Sequence, residues 1–439
     1  MNAQNSRSEI SSVPEWISDN RINEVLFCKA FLESHPMLCI NGTFFTVNGR
    51  VTDEKRLLRE ILEWIEPHIT TGLAKRVSGL LEILRMKCYA PPLPVHTDRI
   101  HVANGTYFLS GSFSETKEYC ANRLPVAYCP DAATPTRWLH FLDQLLYPED
   151  IPTLQEYMGY CLIPTTKAQK MLFLIGKGGE GKSRVGLVMR ALLGENMNTG
   201  SIQKVETSPF ARADLEHLLV MVDDDMKLEA LPQTNHIKTI VTAEQPMDLE
   251  RKGQQSYQGN LSARFLVFGN GTMKSLYDRS EGFFRRQLIL SVRDRDRSRE
   301  DDPFLAEKLC AEAEGIFLWA LEGLNRLIAR NYHFTISKRA EENMDCAIKE
   351  GNNIVEFMES DGYFVFRADS QITAKDFYAV YELWCSDYTA KPVTPKSFGN
   401  YLSQHLDDYH LEHDNKVHND QGRRVWGYWG IEAIVHSYV

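Results

Sequence analysis

The chain lacks the marks of a secreted or membrane-spanning protein. Its nine cysteines are scattered singly and no two of them form a CxxC pair, so we expect neither a disulfide framework nor a zinc site. No apolar run approaches the length of a membrane span. The first residues, MNAQNSRSEISSVPEW, are polar and contain no apolar core, so we expect no signal peptide. These absences indicate a reduced, cytoplasmic protein.

A basic excess is also absent, since the formal net charge is −10 over 439 residues. This balance argues against a wholly basic nucleic-acid coat, but it permits a local basic channel, because binding follows local charge. Hydrophobic content of 43% and charged content of 25% are ordinary for a globular protein. The length allows two or three domains.

The most informative feature that is present is the sequence GKGGEGKS, at residues 176–183. It follows the apolar run MLFLI and precedes the helix-like segment VGLVMRALLG, which is the strand–loop–helix context of a P-loop. Glycines let backbone N–H groups turn toward phosphate oxygens, and the helix start adds its positive end. We predict that Lys182 contacts the β- and γ-phosphates and that Ser183 holds Mg²⁺. The predicted cofactors are therefore ATP and Mg²⁺, bound by Gly176, Gly178, Gly179, Glu180, Gly181, Lys182, Ser183 and Arg184.

An acidic group suited to Mg²⁺ follows about 40 residues later in the run LLVMVDDDM. Its apolar part is typical of a strand buried in a parallel sheet. We predict that Asp223 binds the metal and that Asp224 polarises the attacking water. The alternative is a solvated acidic turn at a strand end.

Two further patterns complete a candidate ATPase site. The run ARFLVFGN ends at Asn270, whose amide is suited to orient water and sense the γ-phosphate, although Gly-Asn is also ordinary turn chemistry. The segment SEGFFRRQLIL carries Arg285 and Arg286 before an apolar strand. An arginine from a neighbouring subunit would stabilise charge on the transferred phosphate, and we favour Arg286 slightly. The alternative is a surface ion pair.

The remaining pattern suggests four regions. Residues 22–85 have a helical pattern, 100–109 alternate around an Asn-Gly turn, and 170–292 alternate strands with helices. After residue 362, helix, helix and β-ribbon suggest a winged helix. The predicted fold class is α/β: a P-loop, AAA+-like ATPase core with a mainly helical N-terminal region and a C-terminal winged-helix domain. The predicted regions are 1–95, helical and a possible oligomerisation collar; 96–165, preceding the ATPase; 166–335, the ATPase; and 336–439, a helical linker and the winged helix.

The order of these motifs resembles the superfamily 3 helicases, and most closely the phage/plasmid primase–helicase family with a poxvirus-type helicase domain. The resemblance extends to LPVAYCPDAATPTRWLHFLDQLL, LQEYMGYCLIP, IKTIVTAEQPMDLERKG and EGIFLWALEGLNRL. It implies a ring, usually a hexamer, that translocates 3′ to 5′ on single-stranded DNA in a bacterial host cell. A primase domain often precedes the helicase in this family; here the first ~95 residues have no convincing carboxylate pair, so we predict no primase activity and a possible separate primase or polymerase partner.

The resemblance also implies DNA-contacting side chains. A hairpin between residues 238 and 255 would point into the channel, with Lys238, Arg251 and Lys252 as candidates for backbone contact. In the winged helix, Lys396 lies on the candidate recognition helix at 394–406, and Arg423 and Arg424 lie on the wing beside Trp426. Duplex origin DNA is one predicted partner of this domain, and a protein-interaction or structural role is the alternative.

Two other functions remain open from sequence. An origin-binding initiator or helicase loader would use the same ATPase to assemble on duplex DNA without processive unwinding. A protein-remodelling or defence NTPase would hydrolyse ATP at a rate indifferent to DNA.

Overall fold

The computed structural model describes residues 14–18, 21–226, 233–243, 245–253, 255–270, 281–295 and 300–435. Within those limits they form two compact units, which are described separately. The first spans 14–226, 235–270 and 290–337, and the second spans 233–234, 281–289 and 338–435. Among the helices of the described residues, none is long and apolar enough to cross a membrane.

The N-terminal part of the first unit combines helices with short strands. Its elements are β1 (Ile17–Ser18), β2 (Arg21–Ile22), α1 (Glu24–Ser34), β3 (Leu38–Ile40), β4 (Thr43–Thr46), β5 (Gly49–Arg50), α2 (Glu54–Ile65) and α3 (Leu73–Lys87). The three helices pack around a core that includes Phe27, Phe31, Ile61 and Leu84. The helical pattern predicted for residues 22–85 is therefore wrong between 38 and 50, where β3, β4 and β5 form an antiparallel sheet.

A second small sheet and two helices precede the central domain. They are β6 (Arg99–Val102), β7 (Gly105–Phe108), β8 (Phe113–Ser114), α4 (Thr136–Leu145) and α5 (Ile151–Tyr160). The strands β6 and β7 pair antiparallel around Asn104, which confirms the predicted strands on either side of an Asn-Gly turn. Helix α5 is buried along its length from Thr153 to Tyr160, so it belongs to the interior of this unit.

A five-stranded sheet lies at the centre of the first unit, in the order β10-β11-β14-β9-β15. In chain order, the elements from residue 171 to residue 329 are β9 (Met171–Ile175), α6 (Lys182–Leu193), β10 (Met197–Thr199), α7 (Ile202–Thr207), α8 (Pro209–Ala213), β11 (Val220–Asp223), α9 (Asn235–Thr242), β12 (Met247–Leu249), β13 (Tyr257–Gly259), β14 (Arg264–Gly269), α10 (Glu281–Phe284), β15 (Gln287–Ser291), α11 (Leu305–Cys310) and α12 (Ala313–Ala329). Of these, α10 and residues 287–289 of β15 belong to the second unit. The pairs β10/β11, β11/β14 and β14/β9 are parallel. The apolar strands are buried, as parallel strands covered on both faces must be. The predicted α/β class is confirmed at this level.

Helix α5 is held against both α12 and the sheet. Glycines at 159 and 323 let the two helix backbones approach, because a Cβ at Gly159 would meet the carbonyl of Ala320. The buried carboxylate of Glu156 accepts a hydrogen bond from Arg326 Nε at 2.6 Å. The hydroxyl of Tyr157 donates to the carbonyl of Phe265 on β14 at 2.5 Å. These contacts hold α5 against α12 and against β14, the strand that directly precedes Asn270.

The second unit contains most of the C-terminal elements. They are α13 (Lys338–Gly351), α14 (Asn353–Met358), β16 (Phe364–Thr373), α15 (Ala374–Asp387), α16 (Pro395–Gln404), β17 (Glu412–His418) and β18 (Arg424–Ala433). The strands form an antiparallel sheet in the order β16-β18-β17. The side chains of Phe357, Phe377, Trp384 and Tyr428 lie in one core. Thr394 caps the start of α16, since its Oγ1 accepts a hydrogen bond from the N–H of Ser397 at 3.2 Å.

Candidate functional site

The glycine-rich loop lies between β9 and α6, where the sequence predicts it. Gly178, Gly179 and Gly181 have positive φ angles of 112°, 83° and 112°, a region that side-chain-bearing residues rarely adopt. Around a Cβ built at Gly178 or Gly179 there is open space. Gly181 is the N-cap of α6, so the first unsatisfied N–H groups of that helix point toward the loop. The backbone can therefore present several N–H donors to an anion.

Within the loop, the side chains of Glu180 and Lys182 turn inward and bind each other. Lys182 Nζ donates to Glu180 Oε2 at 2.8 Å, and the N–H of Gly178 donates to Glu180 Oε1 at 2.7 Å. The Lys182 side chain is 9% exposed, and the Glu180 side chain is 4% exposed. Burial would raise the pKa of Glu180, but hydrogen bonds from Lys182 and from the backbone outweigh it, and the pKa lies below its ordinary value. The carboxylate is therefore held ionised.

The neighbouring residues of the loop are more accessible. Gly178, Gly179 and Ser183 are exposed, and Gly181 and Arg184 are half-buried. Lys177 is exposed and pairs with Asp294 at 2.8 Å on the surface. Ser183 is thus an exposed residue in the first turn of α6, and a hydroxyl at this position suits a ligand to a hard cation.

The carboxyl ends of three adjacent strands meet beside this loop. Strand β14 lies between β11 and β9, and the N–H of Gly176 donates to the carbonyl of Gly269 at 3.1 Å. Asn270, the residue after Gly269, is exposed. Asp223 on β11 is level with Val267, and Gly269 is level with Ile175. The loop, the amide and the acidic residues therefore lie at one edge of the sheet.

The two aspartates chosen from sequence differ in their surroundings. Asp223 is buried, and its Oδ2 accepts a hydrogen bond from the N–H of Ile202 at the start of α7, at 2.8 Å. Burial raises the pKa of Asp223, while backbone N–H groups of Ile202 and Asp225 oppose the rise. Asp224 is exposed. Asp224 is therefore the more accessible of the two to a hydrated cation.

The two arginines lie in the second unit, between α10 and β15. Arg285 is exposed and Arg286 is half-buried. The guanidinium of Arg286 folds back and donates from NH1 to the carbonyl of Gly282 in the preceding helix. Arg285 is therefore the more accessible of the two arginines.

The predicted hairpin is formed by β12 and β13, with Arg251 and Lys252 in the turn. Arg251 NH2 donates to Glu216 Oε2 at 2.7 Å, and its Nε donates to the hydroxyl of Tyr257 at 2.9 Å. Lys252 is exposed at the tip. Lys238 lies half-buried on α9, before the hairpin.

Sequence reasoning missed Glu216 and Tyr257, which bind Arg251 and each other. Tyr257 donates to Glu216 Oε2 at 2.7 Å. Glu216 precedes Arg251 by 35 residues, so no local spacing links them. The only available signal was that Tyr257 stands in a strand-like run after the charged turn.

The C-terminal candidates occupy exposed positions of the second unit. Lys396 lies on α16, and Arg423 and Arg424 lie where the β17–β18 turn enters β18. Trp426 is 58% exposed. Its indole packs on the ring of His413, with centroids 4.9 Å apart, and His413 in turn stacks on buried Tyr428. A row of packed aromatic rings therefore runs from the core to the exposed start of β18.

Comparison with known proteins gives a family model that matches part of the chain and a solved structure with a similar fold. A family model described as "Family of unknown function (DUF5906)" matches residues 174–286. This range begins within β9 and ends at Arg286, so it contains the glycine loop, the acidic strand end, Asn270 and both arginines.

Among solved structures, the apo structure of the NrS-1 C-terminal region (305–718) matches with a TM-score of 0.54 and 11% identity, and covers 93% of this chain and 99% of that chain. The chain shares the fold of that region. A second structure, titled the A form apo structure of the same region (305–718), gives a TM-score of 0.47 at 12% identity over 88% of this chain and 82% of that chain. Because its TM-score is below 0.5, this second match carries no argument about the fold.

Proposed function

We propose that this chain is an ATP-dependent replicative DNA helicase of a phage, plasmid or mobile genetic island. It would act as a ring, with a hexamer as the expected form, and move 3′ to 5′ on single-stranded DNA. The observation that carries the proposal is the meeting of a glycine loop, an exposed amide and an acidic strand end at one edge of a parallel sheet. In α/β sheets, ligands bind outside the carboxyl ends of the strands.

Nucleotide binding would use the loop and the first turn of α6. Backbone N–H groups around Gly178 to Gly181 and the Lys182 ammonium would hold the phosphates. Ser183 and Asp224 offer exposed oxygen atoms that fit Mg²⁺, with buried Asp223 behind them. The ion would neutralise charge on the phosphates when bound. Asn270, beside the loop, would orient the attacking water.

Hydrolysis would depend on a neighbouring subunit. Arg285 is exposed in the second unit, and an arginine supplied in trans stabilises charge that develops on the transferred phosphate. The active site would therefore be complete only between two subunits of the assembled ring. A single chain by itself would therefore hydrolyse ATP slowly.

DNA contact would come from Lys252 at the tip of the β12–β13 hairpin. Its ammonium is exposed, whereas the guanidinium of Arg251 is bound to Glu216 and Tyr257. Lys252 would contact phosphates without reading sequence, which suits translocation. Arg251 would hold the hairpin in position.

A second candidate function is an origin-binding initiator or helicase loader. The observation that favours it is the element order α14, β16, α15, α16, β17, β18 within the second unit, with the sheet order β16-β18-β17. Such an order is typical of a winged helix, in which α16 would enter a groove and Arg423 and Arg424 would contact phosphates. Such a domain serves a helicase as well as an initiator.

ATP hydrolysis measured with and without single-stranded DNA tests the proposal, with Lys182→Ala as the matched variant. We expect hydrolysis that DNA stimulates and that falls by at least roughly 100-fold in Lys182→Ala. Turnover that Lys182→Ala retains would contradict the site. An equal rate of ATP hydrolysis with and without DNA would point to the protein-remodelling or defence NTPase. Stimulation by duplex DNA alone would favour the initiator.

A further inference from the structure

Glu180 occupies the part of the glycine loop in which an anion would be bound. Its two carboxylate oxygens accept hydrogen bonds from the N–H of Gly178 at 2.7 Å and from Lys182 Nζ at 2.8 Å. Its side chain is 4% exposed. A backbone N–H in a left-handed turn and a lysine ammonium at a helix start are the donors that a phosphate oxygen would use.

The loop is also shaped to receive this carboxylate. Gly176 has no side chain, and a Cβ built there would lie 2.4 Å from Val292 Cγ2 and 2.9 Å from Glu180 Oε1. Contacts shorter than 3.0 Å are essentially never made by a real Cβ, so any other residue at 176 would displace Val292, the Glu180 carboxylate or both. The glycine at the start of the loop therefore provides the space into which Glu180 folds.

A ligand would approach from the opposite side of the loop. Gly178 and Gly179 are exposed, with open space around their Cα atoms, and Ser183 is exposed. A polyphosphate arriving there would reach for the ammonium of Lys182, which is 9% exposed and already bound to Glu180. Two anions competing for one cation at hydrogen-bond distance repel each other strongly in a partly buried site.

We propose that Glu180 sets the affinity for nucleotide. Its carboxylate is an internal anion that binds Lys182 and the N–H of Gly178, and it must be displaced from Lys182 when the phosphates of a nucleoside triphosphate bind. This inference rests on the proposed function, because it concerns the same loop. It deepens that function by naming the ligand class: a nucleotide must carry a β-phosphate that reaches Lys182 in order to displace the carboxylate. A nucleoside monophosphate has no such group and would bind poorly.

Replacing Glu180 with glutamine tests the displacement. The amide oxygen of glutamine can still accept from the N–H of Gly178, but the charge that competes for Lys182 is gone. We expect Glu180→Gln to bind ATP about tenfold more tightly than the wild-type chain, and pyrophosphate likewise, with AMP binding unchanged. The measurement is isothermal titration of the full chain with ATP, pyrophosphate and AMP, each in the presence of Mg²⁺.

Two further variants control for charge and for folding. Glu195→Gln removes an exposed carboxylate just beyond the far end of α6, and we expect no change in its ATP affinity. Glu180→Asp keeps the charge on a side chain that is shorter by one methylene; we expect it to bind ATP more tightly than wild type and less tightly than Glu180→Gln. If Glu180→Gln fails to fold, the aspartate variant provides the comparison.

The outcomes separate this inference from the proposed function. A wild-type chain that binds ATP, with Glu180→Gln binding equally or more weakly, would overturn the displacement and leave the ATPase proposal standing. Equal tightening in Glu195→Gln would also overturn it, because the effect would then be one of net charge. A wild-type chain that binds neither ATP nor pyrophosphate would overturn both.

Discussion

Arg251 NH2 donates a hydrogen bond at 2.7 Å to the carboxylate of Glu216, which precedes it by 35 residues in the chain. Glu216 is only 14% exposed, and it accepts a second hydrogen bond at 2.7 Å from Tyr257 on the returning strand. The adjacent residue, Lys252, is exposed. Two neighbouring cations that look equivalent in sequence therefore have different roles: one anchors the hairpin and the other is available to a ligand.

Single substitutions separate these roles. We expect Arg251→Ala to lower the free energy of unfolding by about 1–3 kcal/mol, because the partly buried Glu216 loses its charged partner. We expect Lys252→Ala to leave stability within about 0.5 kcal/mol, and to weaken binding to single-stranded DNA and reduce its salt dependence by about one charge. Urea denaturation and DNA titrations at several salt concentrations measure the two effects. A Lys252→Ala variant with unchanged DNA affinity would exclude the hairpin tip from DNA contact.

Burial of Asp223 predicts that this residue destabilises the folded chain at neutral pH. Its pKa is raised in the folded state, so the stability that it contributes is complete below the unfolded-state pKa and is lost as the pH rises through the folded-state value. Asp223→Asn retains an acceptor for the N–H of Ile202 and removes the charge. We expect it to be more stable near neutral pH by on the order of 1 kcal/mol, and to be inactive in hydrolysis.

The pH dependence provides the check on this interpretation. The advantage of Asp223→Asn should shrink as the pH falls and disappear below about 4, where the wild-type carboxyl is protonated in both states. Thermal denaturation across this range measures it, with Asp224→Asn as the control, since Asp224 is exposed and its replacement should change stability little. An Asp223→Asn variant less stable than wild type near neutral pH would show that the carboxylate is needed for folding.

The two arginines after α10 give a third prediction. Arg285 is exposed, whereas Arg286 binds the carbonyl of Gly282. We expect Arg285→Ala to bind ATP normally and to lose roughly 1,000-fold in hydrolysis, while Arg286→Ala mainly lowers thermal stability. Mixing Arg285→Ala with Asp224→Asn should restore part of the turnover, because one interface in the mixed ring then has both residues. No recovery on mixing would contradict a site shared between subunits.

The turn between β17 and β18 in the second unit supports a prediction on duplex DNA. Arg423 and Arg424 are both exposed beside Trp426. Replacing both arginines with alanine should weaken duplex binding and lower the salt dependence by about two charges. Lys416→Ala is the matched control, because the ammonium of Lys416 already pairs with Asp414 at 3.0 Å. If the double variant binds duplex DNA as the wild-type chain does, the domain serves a protein-interaction or structural role instead.

The central sheet was largely predictable, because its strands are apolar runs that end at recognisable residues. The runs before Gly176, Asp223 and Asn270 each form the strand expected. Buried parallel strands need continuous apolar sequence, and their carboxyl ends need polar residues. The Asn-Gly turn at Asn104 and the cap at Thr394 were predictable for a similar reason, since each depends on only a few adjacent residues.

Short strands and long-range polar contacts were not predictable. The strands β3, β4 and β5 have between two and four residues each, too few for alternation to stand out within a helical pattern. The hydrogen bond from Lys182 to Glu180 depends on the positive φ angles of Gly178, Gly179 and Gly181. The sequence shows these glycines but not their φ angles. The Arg251–Glu216 pair depends on packing across the fold.

The proposed motor is tested most directly by strand displacement on a forked duplex with ATP and Mg²⁺, run beside Lys182→Ala. We expect unwinding of a fork with a 3′ tail, little unwinding with a 5′ tail alone, and none in Lys182→Ala. Hydrolysis stimulated by DNA without displacement of either strand would contradict the helicase and favour the initiator or loader.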